Sequence, residues 1–200
     1  LLAKQARRKH LPVNVRLIGH SPLHTYQPGL LFLPFRKPGY RTLADIQRSN
    51  ADFIGPGVEY LCEKITAIDP QARTVSTAAN RYSYDWLVLA LGCRTVVDAI
   101  DGLAERWGTR AHGFYTPDSA LKLADALERF DGGDLLVDIA EMPIKCPVAP
   151  LEFICLVDEY LTRRGLRSRT KLSLMTPLTG AFTKPICNEM LTDMLVAKGV

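Results

Sequence analysis

A turn without glycine, lying between an apolar strand and a helix, constrains this chain more than any other stretch. The strand is predicted at 135–140 and the helix at 151–164. A dinucleotide-binding unit carries a glycine-rich loop at this point, because glycine lets backbone N–H groups close on a pyrophosphate at a helix N-terminus. Here the turn contains prolines and one cysteine, Cys146. Because proline has no N–H to donate and fixes φ, the sequence predicts a turn built around a thiol rather than a phosphate.

The order of the predicted elements is that of an α/β protein. The continuous apolar run at 86–91 predicts a strand that is buried on both faces and parallel to a strand at 13–18 in one sheet. The loop at 19–37 is rich in proline and glycine and predicts irregular structure. The patterns predict helices at 1–9, 41–47, 116–130, 151–164 and 188–198. Further strands are predicted at 58–64, which 65–69 continues, and at 73–77, 135–140 and 171–175, with 73–77 returning antiparallel to 65–69.

Two units are predicted, with a boundary near residue 110. Residues 1–18 have the helix-then-strand order of the second half of a βαβ unit, and a second unit of this type follows the boundary. After the helix at 188–198 a further strand is expected. The sequence is therefore interpreted as an internal piece of a longer α/β protein.

Charge and cysteine content disfavour some classes of partner. The hydrophobic content of 47% is enough for a core, and the net charge of +4 is mild. The basic clusters at 7–9 and 163–171 have no interleaved aromatic residues, so they indicate solvated helix ends rather than a nucleic-acid surface. The five cysteines form no CxxC pair and no metal-ligand spacing. We therefore expect no nucleic-acid partner, no metal site and a reducing compartment.

Four segments carry a resemblance to a known family. The run DWLVLALG at 85–92 resembles the "YDxLVxATG" strand of two-domain flavoproteins that are related to the flavin disulfide reductases. The pair at 114–115 and the runs AEMPIKCPVAPLE at 140–152 and TPLTGAFTKP at 176–185 resemble the sulfide:quinone oxidoreductase branch of that superfamily. The likeness extends over nearly the whole chain.

This resemblance implies a Rossmann-like FAD/NAD(P)-binding two-domain flavoprotein fold that is truncated at both ends. Residues 1–110 would be a partial FAD-binding domain without its first strand and GxGxxG loop. Residues 111–200 would be a partial second Rossmann-like domain without a glycine loop. A flavin-dependent enzyme is expected for the full-length protein, whereas these residues alone are expected to be inactive.

FAD is the cofactor that the resemblance implies. The loop after the strand at 13–18 resembles one that passes the isoalloxazine, and two later positions resemble contacts to the adenine and to the phosphate–ribose portion. Pro28, Gly29 and Leu30 are expected beside the isoalloxazine. Ile65 is expected at the adenine, and Ala90, Leu91 and Gly92 are expected at the phosphate–ribose portion.

Cys146 is the candidate catalytic residue. It is expected at a helix N-terminus beside Lys145, where the helix dipole and the charge favour a thiolate. The matching cysteine of the family forms a redox disulfide or polysulfide bridge next to the flavin. Hydrosulfide attacks this bridge, a persulfide remains on one cysteine, and the flavin passes two electrons to a quinone. The resemblance implies the same chemistry here, with the partner cysteine beyond Val200, while Cys62, Cys155 and Cys187 are expected to be structural.

Two other functions stay open. A type II NADH:quinone oxidoreductase would need glycine in the turn at 141–150, where the sequence has none. A non-catalytic binding protein that retains the fold would account for Leu91, which stands where the family has threonine. Glu141, Glu152 and His112 are weaker candidates for proton transfer, because charged residues at helix starts and histidines in loops more often serve structure.

The resemblance also implies partners and a location. Sulfide and a quinone would be the substrates. Attachment to a membrane surface would come from C-terminal segments that lie outside these residues, which implies a peripheral protein on the cytoplasmic side. A homo-oligomer is compatible with this interpretation.

Overall fold

A computed structural model describes all residues from 1 to 200, and the chain divides into two compact units. Unit 1 comprises residues 1–26 and 44–92, and unit 2 comprises residues 27–43 and 93–200. This division after residue 92 differs from the boundary near residue 110 that the sequence suggests, and it assigns residues 27–43 to unit 2. The assignment of the predicted domains at 1–110 and 111–200 stays a prediction.

Unit 1 consists of short helices and three small sheets. Its elements are α1 (Leu2–Arg8), β1 (Val15–Gly19), β2 (Leu23–Thr25), α2 (Leu43–Ile46, which begins on the last residue of 27–43), β3 (Gln47–Ser49), β4 (Val58–Cys62), β5 (Ile65–Asp69), β6 (Thr74–Thr77) and β7 (Arg81–Ser83). β1 pairs in parallel with β4, β2 pairs with β3, and β5, β6 and β7 form an antiparallel sheet. The predicted antiparallel pair β5–β6 is therefore confirmed, and it has a third strand. The prediction that 65–69 continues the strand at 58–64 is wrong, because β4 and β5 lie in different sheets.

The predicted strand at 86–91 is wrong. These residues form neither helix nor strand and pair with no other strand, so they are not in one sheet with β1, whose partner is β4. Trp86, Val88 and Leu91 are 93%, 85% and 70% exposed. The run has the composition of a buried strand, but within residues 1–200 no strand pairs with its backbone. Its apolar side chains therefore stay in water.

The predicted irregular loop at 19–37 is also partly wrong, since it contains regular structure. β2 lies in it, and two turns of 3₁₀ helix follow at Gln27–Leu31 and Leu33–Phe35. Pro28 and Pro34 are the second residues of these turns, where the lost N–H is tolerated because a short helix leaves its first N–H groups unpaired anyway.

Unit 2 is an α/β unit around one parallel pair of strands. Its elements are α3 (Leu103–Arg106), α4 (Pro117–Arg129), β8 (Gly133–Asp138), α5 (Ala149–Arg163), β9 (Thr170–Met175) and α6 (Pro185–Ala197). β8 and β9 are parallel, with Gly133 opposite Thr170, and α5 connects them. The predicted helix–strand–helix–strand order is confirmed. α4 begins as its sequence predicts, because the Thr116 hydroxyl accepts a hydrogen bond from the Ser119 N–H at 3.3 Å.

The apolar core of unit 2 lies between the helices and the β8–β9 pair. Leu172 of β9 is 2% exposed, and Ile154, Val157 and Leu161 of α5 are fully buried. The buried members of this core are Leu31, Phe35, Leu123, Leu127, Val137, Leu151, Phe153, Ile154, Val157, Leu161, Leu166, Leu172, Ala181 and Leu195. α5 is thus fixed along its length. None of the helices combines the length and the apolar character that crossing a bilayer requires.

Candidate active site

Cys146 lies three residues before α5, in the turn that follows β8. Its carbonyl oxygen accepts a hydrogen bond from the Ala149 N–H at 3.0 Å, which closes the turn into the helix. Cys146 is a free, exposed thiol and has a φ of 54°, in the left-handed region. A non-glycine residue there costs roughly 1–2 kcal/mol. Such strain persists where the surrounding structure imposes it, and it is found disproportionately at functional sites.

The same turn has few N–H groups to offer an anion. The Ala149 N–H is bonded to Cys146, and the N–H groups of Leu151 and Glu152 both donate to the Val148 carbonyl at 3.0 and 3.1 Å. Pro150 has no N–H. The start of α5 is therefore unlike a phosphate-binding helix N-terminus, in which free N–H groups point at the ligand.

A stack of aromatic rings connects α5 to the segment before α4. The Phe153 ring on α5 lies 4.8 Å from the Phe114 ring, with 15° between the planes, and the Phe114 ring lies 4.9 Å from the Tyr115 ring. Phe35, from the second 3₁₀ turn, contacts Phe153 from another side at 5.3 Å. Residues 114–115 are thus held against the first turns of the helix that follows Cys146.

Tyr115 has a buried hydroxyl that hydrogen-bonds to no group. The pKa of Tyr115 is raised to about 12, first by burial and then by the charges that the thiols of Cys146 and Cys93 carry when they ionise. Both thiols therefore lie close enough to act electrostatically on one phenol oxygen.

His112 contributes a second buried polar atom without a partner. Its Nε2 lies 3.1 Å from the Thr109 carbonyl oxygen, to which it donates when Nε2 carries the proton. Its Nδ1 is buried and hydrogen-bonds to no group. Segment 112–115 thus carries two polar atoms, His112 Nδ1 and Tyr115 Oη, that are available to a bound group.

The residues predicted to contact FAD fall in both units. In unit 2, Pro28 is exposed, whereas Gly29 and Leu30 are buried in the first 3₁₀ turn. In unit 1, Ile65 begins β5 opposite Thr77 and is half-buried. Ala90, Leu91 and Gly92 are exposed, and Gly92 has a φ of 75° with no atom within 4 Å of where a Cβ would be. These cofactor contacts stay predictions.

The other candidate residues have simpler surroundings. Glu141 and Glu152 are exposed, and Glu152 lies in the first turn of α5. Burial raises the pKa of Asp138, the last residue of β8, and of the Cys155 thiol on α5. Cys155 is half-buried, as expected for a structural thiol, but Cys62 and Cys187 are exposed and therefore do not serve the core.

Sequence patterns alone do not single out Tyr115, whose hydroxyl is buried and hydrogen-bonds to no group. Tyr115 stands out only as half of the pair at 114–115. The contact between the Phe114 and Phe153 rings, which holds this pair against α5, depends on packing between distant segments, which no local pattern reports.

Comparison with known proteins gives the family context. No protein-family model matches the chain. It is 25% identical over 190 residues to the mitochondrial sulfide:quinone oxidoreductase of Dictyostelium discoideum, an alignment that covers 94% of this chain and 41% of that protein. It is also 42% identical to an NADH dehydrogenase-like protein of Mycobacterium tuberculosis, but over 88 residues, which are 42% of this chain and 20% of that protein.

A solved structure shows the fold. The sulfide:quinone oxidoreductase from Aquifex aeolicus superposes with a TM-score of 0.77 at 23% identity, covering 96% of this chain and 45% of that chain. The predicted Rossmann-like flavoprotein fold class is therefore confirmed. The chain spans about two fifths of the length of the curated relatives that it matches along most of its length. The resemblance inferred from the motifs is confirmed by these matches.

Proposed function

The chain is a relative of the sulfide:quinone oxidoreductases, and on this premise we propose that the protein is an FAD-dependent oxidoreductase that oxidises sulfide at Cys146 and passes the electrons to a quinone. One observation carries the proposal. The turn between β8 and α5 holds an exposed thiol in a left-handed conformation, and the N–H groups at the start of the helix are bonded within the turn or missing. The turn therefore has a thiol at the position where a dinucleotide pyrophosphate would need free backbone N–H groups.

Unit 2 has two buried polar atoms that a bound flavin could satisfy. His112 Nδ1 and Tyr115 Oη are buried without partners, and a buried polar group of this kind is normally satisfied by a ligand, a water or a protein atom. Pro28, Gly29, Leu30, Ile65, Ala90, Leu91 and Gly92 are the residues proposed to hold FAD. When bound, FAD supplies a two-electron acceptor that delivers the electrons to the quinone.

The role proposed for Cys146 is to carry sulfur. Hydrosulfide attacks the Cys146 Sγ in a disulfide, the S–S bond breaks, and the other cysteine leaves as a thiolate. Cys146 then holds the added sulfur as a persulfide. Cys146 suits this role because it is exposed and lies beside Lys145, whose cation attracts an anionic nucleophile.

A type II NADH:quinone oxidoreductase is the second candidate, and the match over 88 residues favours it. That function needs a site for the NADH pyrophosphate. At the start of α5, Pro150 has no N–H, and the N–H groups of Ala149, Leu151 and Glu152 are already bonded. This favours sulfide over NADH as the electron donor.

A cysteine substitution in the protein expressed from its complete reading frame tests the proposal. Cys146→Ser should retain FAD but lose sulfide-dependent quinone reduction by at least ~100-fold, because a hydroxyl is a poor nucleophile and cannot form a disulfide. Cys187→Ser, which removes an exposed thiol on α6, is the matched control and should keep the rate. A Cys146→Ser rate close to that of Cys187→Ser would contradict the proposal.

The setting of the reaction is part of the proposal. Sulfide and a quinone are the proposed substrates, and a quinone substrate requires access to a membrane surface. We therefore place the full-length protein peripherally on a membrane, and the cytoplasmic side remains the prediction from the sequence.

A further inference from the structure

A cavity of about 420 Å³ lies within unit 2, and neither Cys146 nor Tyr115 lines it. One wall is formed by Leu31, the last residue of the first 3₁₀ turn, and by Phe32, which follows it. The other walls are faces of α5 and α6, and the lining is mostly apolar. Cavities of about 300–1,000 Å³ with such a lining are typical sites for small organic molecules.

The walls of this cavity are held together by packing and by an ion pair. The Lys37 Nζ lies 2.9 Å from the Glu159 Oε2 on α5, and the Phe35 ring lies 5.3 Å from the Phe153 ring on the same helix. Segment 31–37 is therefore fixed against α5 in the absence of a ligand. Binding in the cavity would require little further ordering of the protein, which favours affinity.

The polar groups of the lining favour a neutral ligand that accepts hydrogen bonds. The Cys155 thiol lines the cavity and is half-buried. Burial is the main cause of the raised pKa of this thiol, which therefore keeps its proton and is a weak donor. Glu152 also lines the cavity, and its carboxylate repels an anionic ligand.

The cavity adjoins both segments to which the proposed function assigns chemistry. Leu31 ends the 3₁₀ turn that contains the flavin contacts proposed at 28–30. Val148, which also lines the cavity, follows Cys146 by two residues. The proposed function requires one neutral, apolar molecule with acceptor oxygens near these segments, and that molecule is the quinone.

We propose that this cavity binds the quinone, with a carbonyl oxygen of the ring at the Cys155 thiol. The ring and the first part of the tail would pack on Leu191 and Met194 of α6. The identity of the ligand rests on the proposed function, whereas the cavity and its lining do not.

Alkylation of Cys155 tests the site without turnover. The protein expressed from its complete reading frame, with the cofactor it carries, is treated with N-ethylmaleimide, and labelling of each cysteine is followed by mass spectrometry. Decylubiquinone at about ten times its Kd should slow the labelling of Cys155 by ~10-fold, because about a tenth of the sites stay free. The labelling of Cys187, which is exposed on α6 and does not line the cavity, should not change.

Decanol is the control ligand, because it has the apolar chain of decylubiquinone but no ring. It should protect Cys155 much less than decylubiquinone does. Equal protection by decanol would show that the cavity takes any apolar chain and would overturn the assignment to a quinone. The proposal is also overturned if decylubiquinone leaves the labelling of Cys155 unchanged, or if Cys155 is not labelled in the ligand-free protein.

A substitution that fills the cavity provides a second measurement. Met194→Trp puts a larger side chain into the lining, so it should abolish the protection of Cys155 and raise the KM for decylubiquinone at least ~10-fold. The rate at which sulfide bleaches the flavin should be kept. Met190→Trp, at a 68% exposed position of the same helix, is the matched control and should change none of these. Protection that persists in Met194→Trp as in wild type would contradict the proposal.

The quinone site and the proposed function can fail separately. Absence of sulfide oxidation would overturn the proposed function, but the protection of Cys155 would still be measurable, because it needs neither sulfide nor electron transfer. Sulfide-dependent quinone reduction without protection of Cys155 would overturn the quinone site alone.

Discussion

Unit 2 and unit 1 differ in how they use apolar residues. In unit 2 the apolar side chains of α4, α5, β8 and β9 form one continuous core. In unit 1 the buried apolar residues are few, namely Ala3, Ala6, Ile46 and Val75, while Leu17, Trp86, Val88 and Leu91 are about half to almost fully exposed. The two units have similar apolar strand patterns. The units differ in whether a strand or helix of residues 1–200 packs against each apolar run, and the apolar side chains are buried only where one does.

The two predicted buried strands show this most clearly. The run at 135–140 shares residues 135–138 with β8, which forms because β9 pairs with it and α5 packs on it, and Val137 is 8% exposed. The run at 86–91 is as apolar but has no strand beside it. Strand propensity therefore reflects packing against neighbours more than an intrinsic backbone preference.

The largest expected effect tests the unequal cores. Leu161→Ala, at a fully buried position of α5, should lower the free energy of unfolding of unit 2 by about 2–5 kcal/mol. The fluorescence of Trp107, which belongs to unit 2, reports this in urea once the exposed Trp86 is replaced by Phe. Val75→Ala in unit 1 should leave the Trp107 transition unchanged. Equal shifts from both substitutions would show that the units do not unfold separately.

A pair of glycines compares packing density in the two units. A Cβ at Gly113 would meet the Trp107 ring at 2.9 Å, so Gly113→Ala should destabilise unit 2 by about 1–3 kcal/mol through overpacking. Gly55 of unit 1 has no atom within 4 Å of such a Cβ, and Gly55→Ala should change stability by at most about 0.5 kcal/mol. Thermal unfolding of both variants checks this, and a larger loss at Gly55 would reverse the comparison.

The smallest of the expected losses in stability comes from an ion-pair cluster around Asp158 in unit 2. Asp158 on α5 accepts hydrogen bonds from Arg167 Nε and Lys198 Nζ, both at 2.7 Å. Burial alone would raise the pKa of Asp158, but these two cations outweigh it and lower the pKa below its usual value. The group therefore stabilises the fold above its ordinary pKa near 4. That stabilisation is lost as the pH falls through the lowered value.

Asp158→Asn measures that contribution. The variant should lose about 1–2 kcal/mol at pH 7, because the carboxylate is mostly buried and accepts two charged donors. The difference from wild type should shrink as the pH falls below about 4 and through the lowered pKa of Asp158, where the carboxylate of the folded wild type becomes protonated. Urea unfolding at a series of pH values measures it. A difference that stays constant through this range would assign the loss to packing rather than charge.

Local signals predict much of unit 2. Thr116 before Pro117 indicates the start of α4, and the apolar periodicity indicates α5. The glycine-free turn makes Cys146 a candidate from the sequence alone, and its role stays a prediction. These features depend on residues close together in the sequence, which is why pattern reasoning finds them.

Long-range packing accounts for what sequence reasoning misses. β7 is a three-residue polar strand, Arg81–Ser83, that exists because β6 pairs with it. The stacking of Phe114 on Phe153 joins segments from different parts of the chain, and the exposure of residues 86–91 depends on the absence of a pairing strand. Neither property can be read from a window of neighbouring residues.

Anaerobic flavin reduction tests the central claim most directly, namely that a thiol replaces a dinucleotide site in the turn before α5. The protein expressed from its complete reading frame, with FAD bound, is mixed in a stopped-flow instrument either with sulfide or with micromolar NADH. The account predicts that sulfide bleaches the flavin absorbance and that NADH does not, because the prolines and bonded N–H groups of that turn leave a pyrophosphate without donors. Rapid bleaching by NADH with no response to sulfide would contradict it.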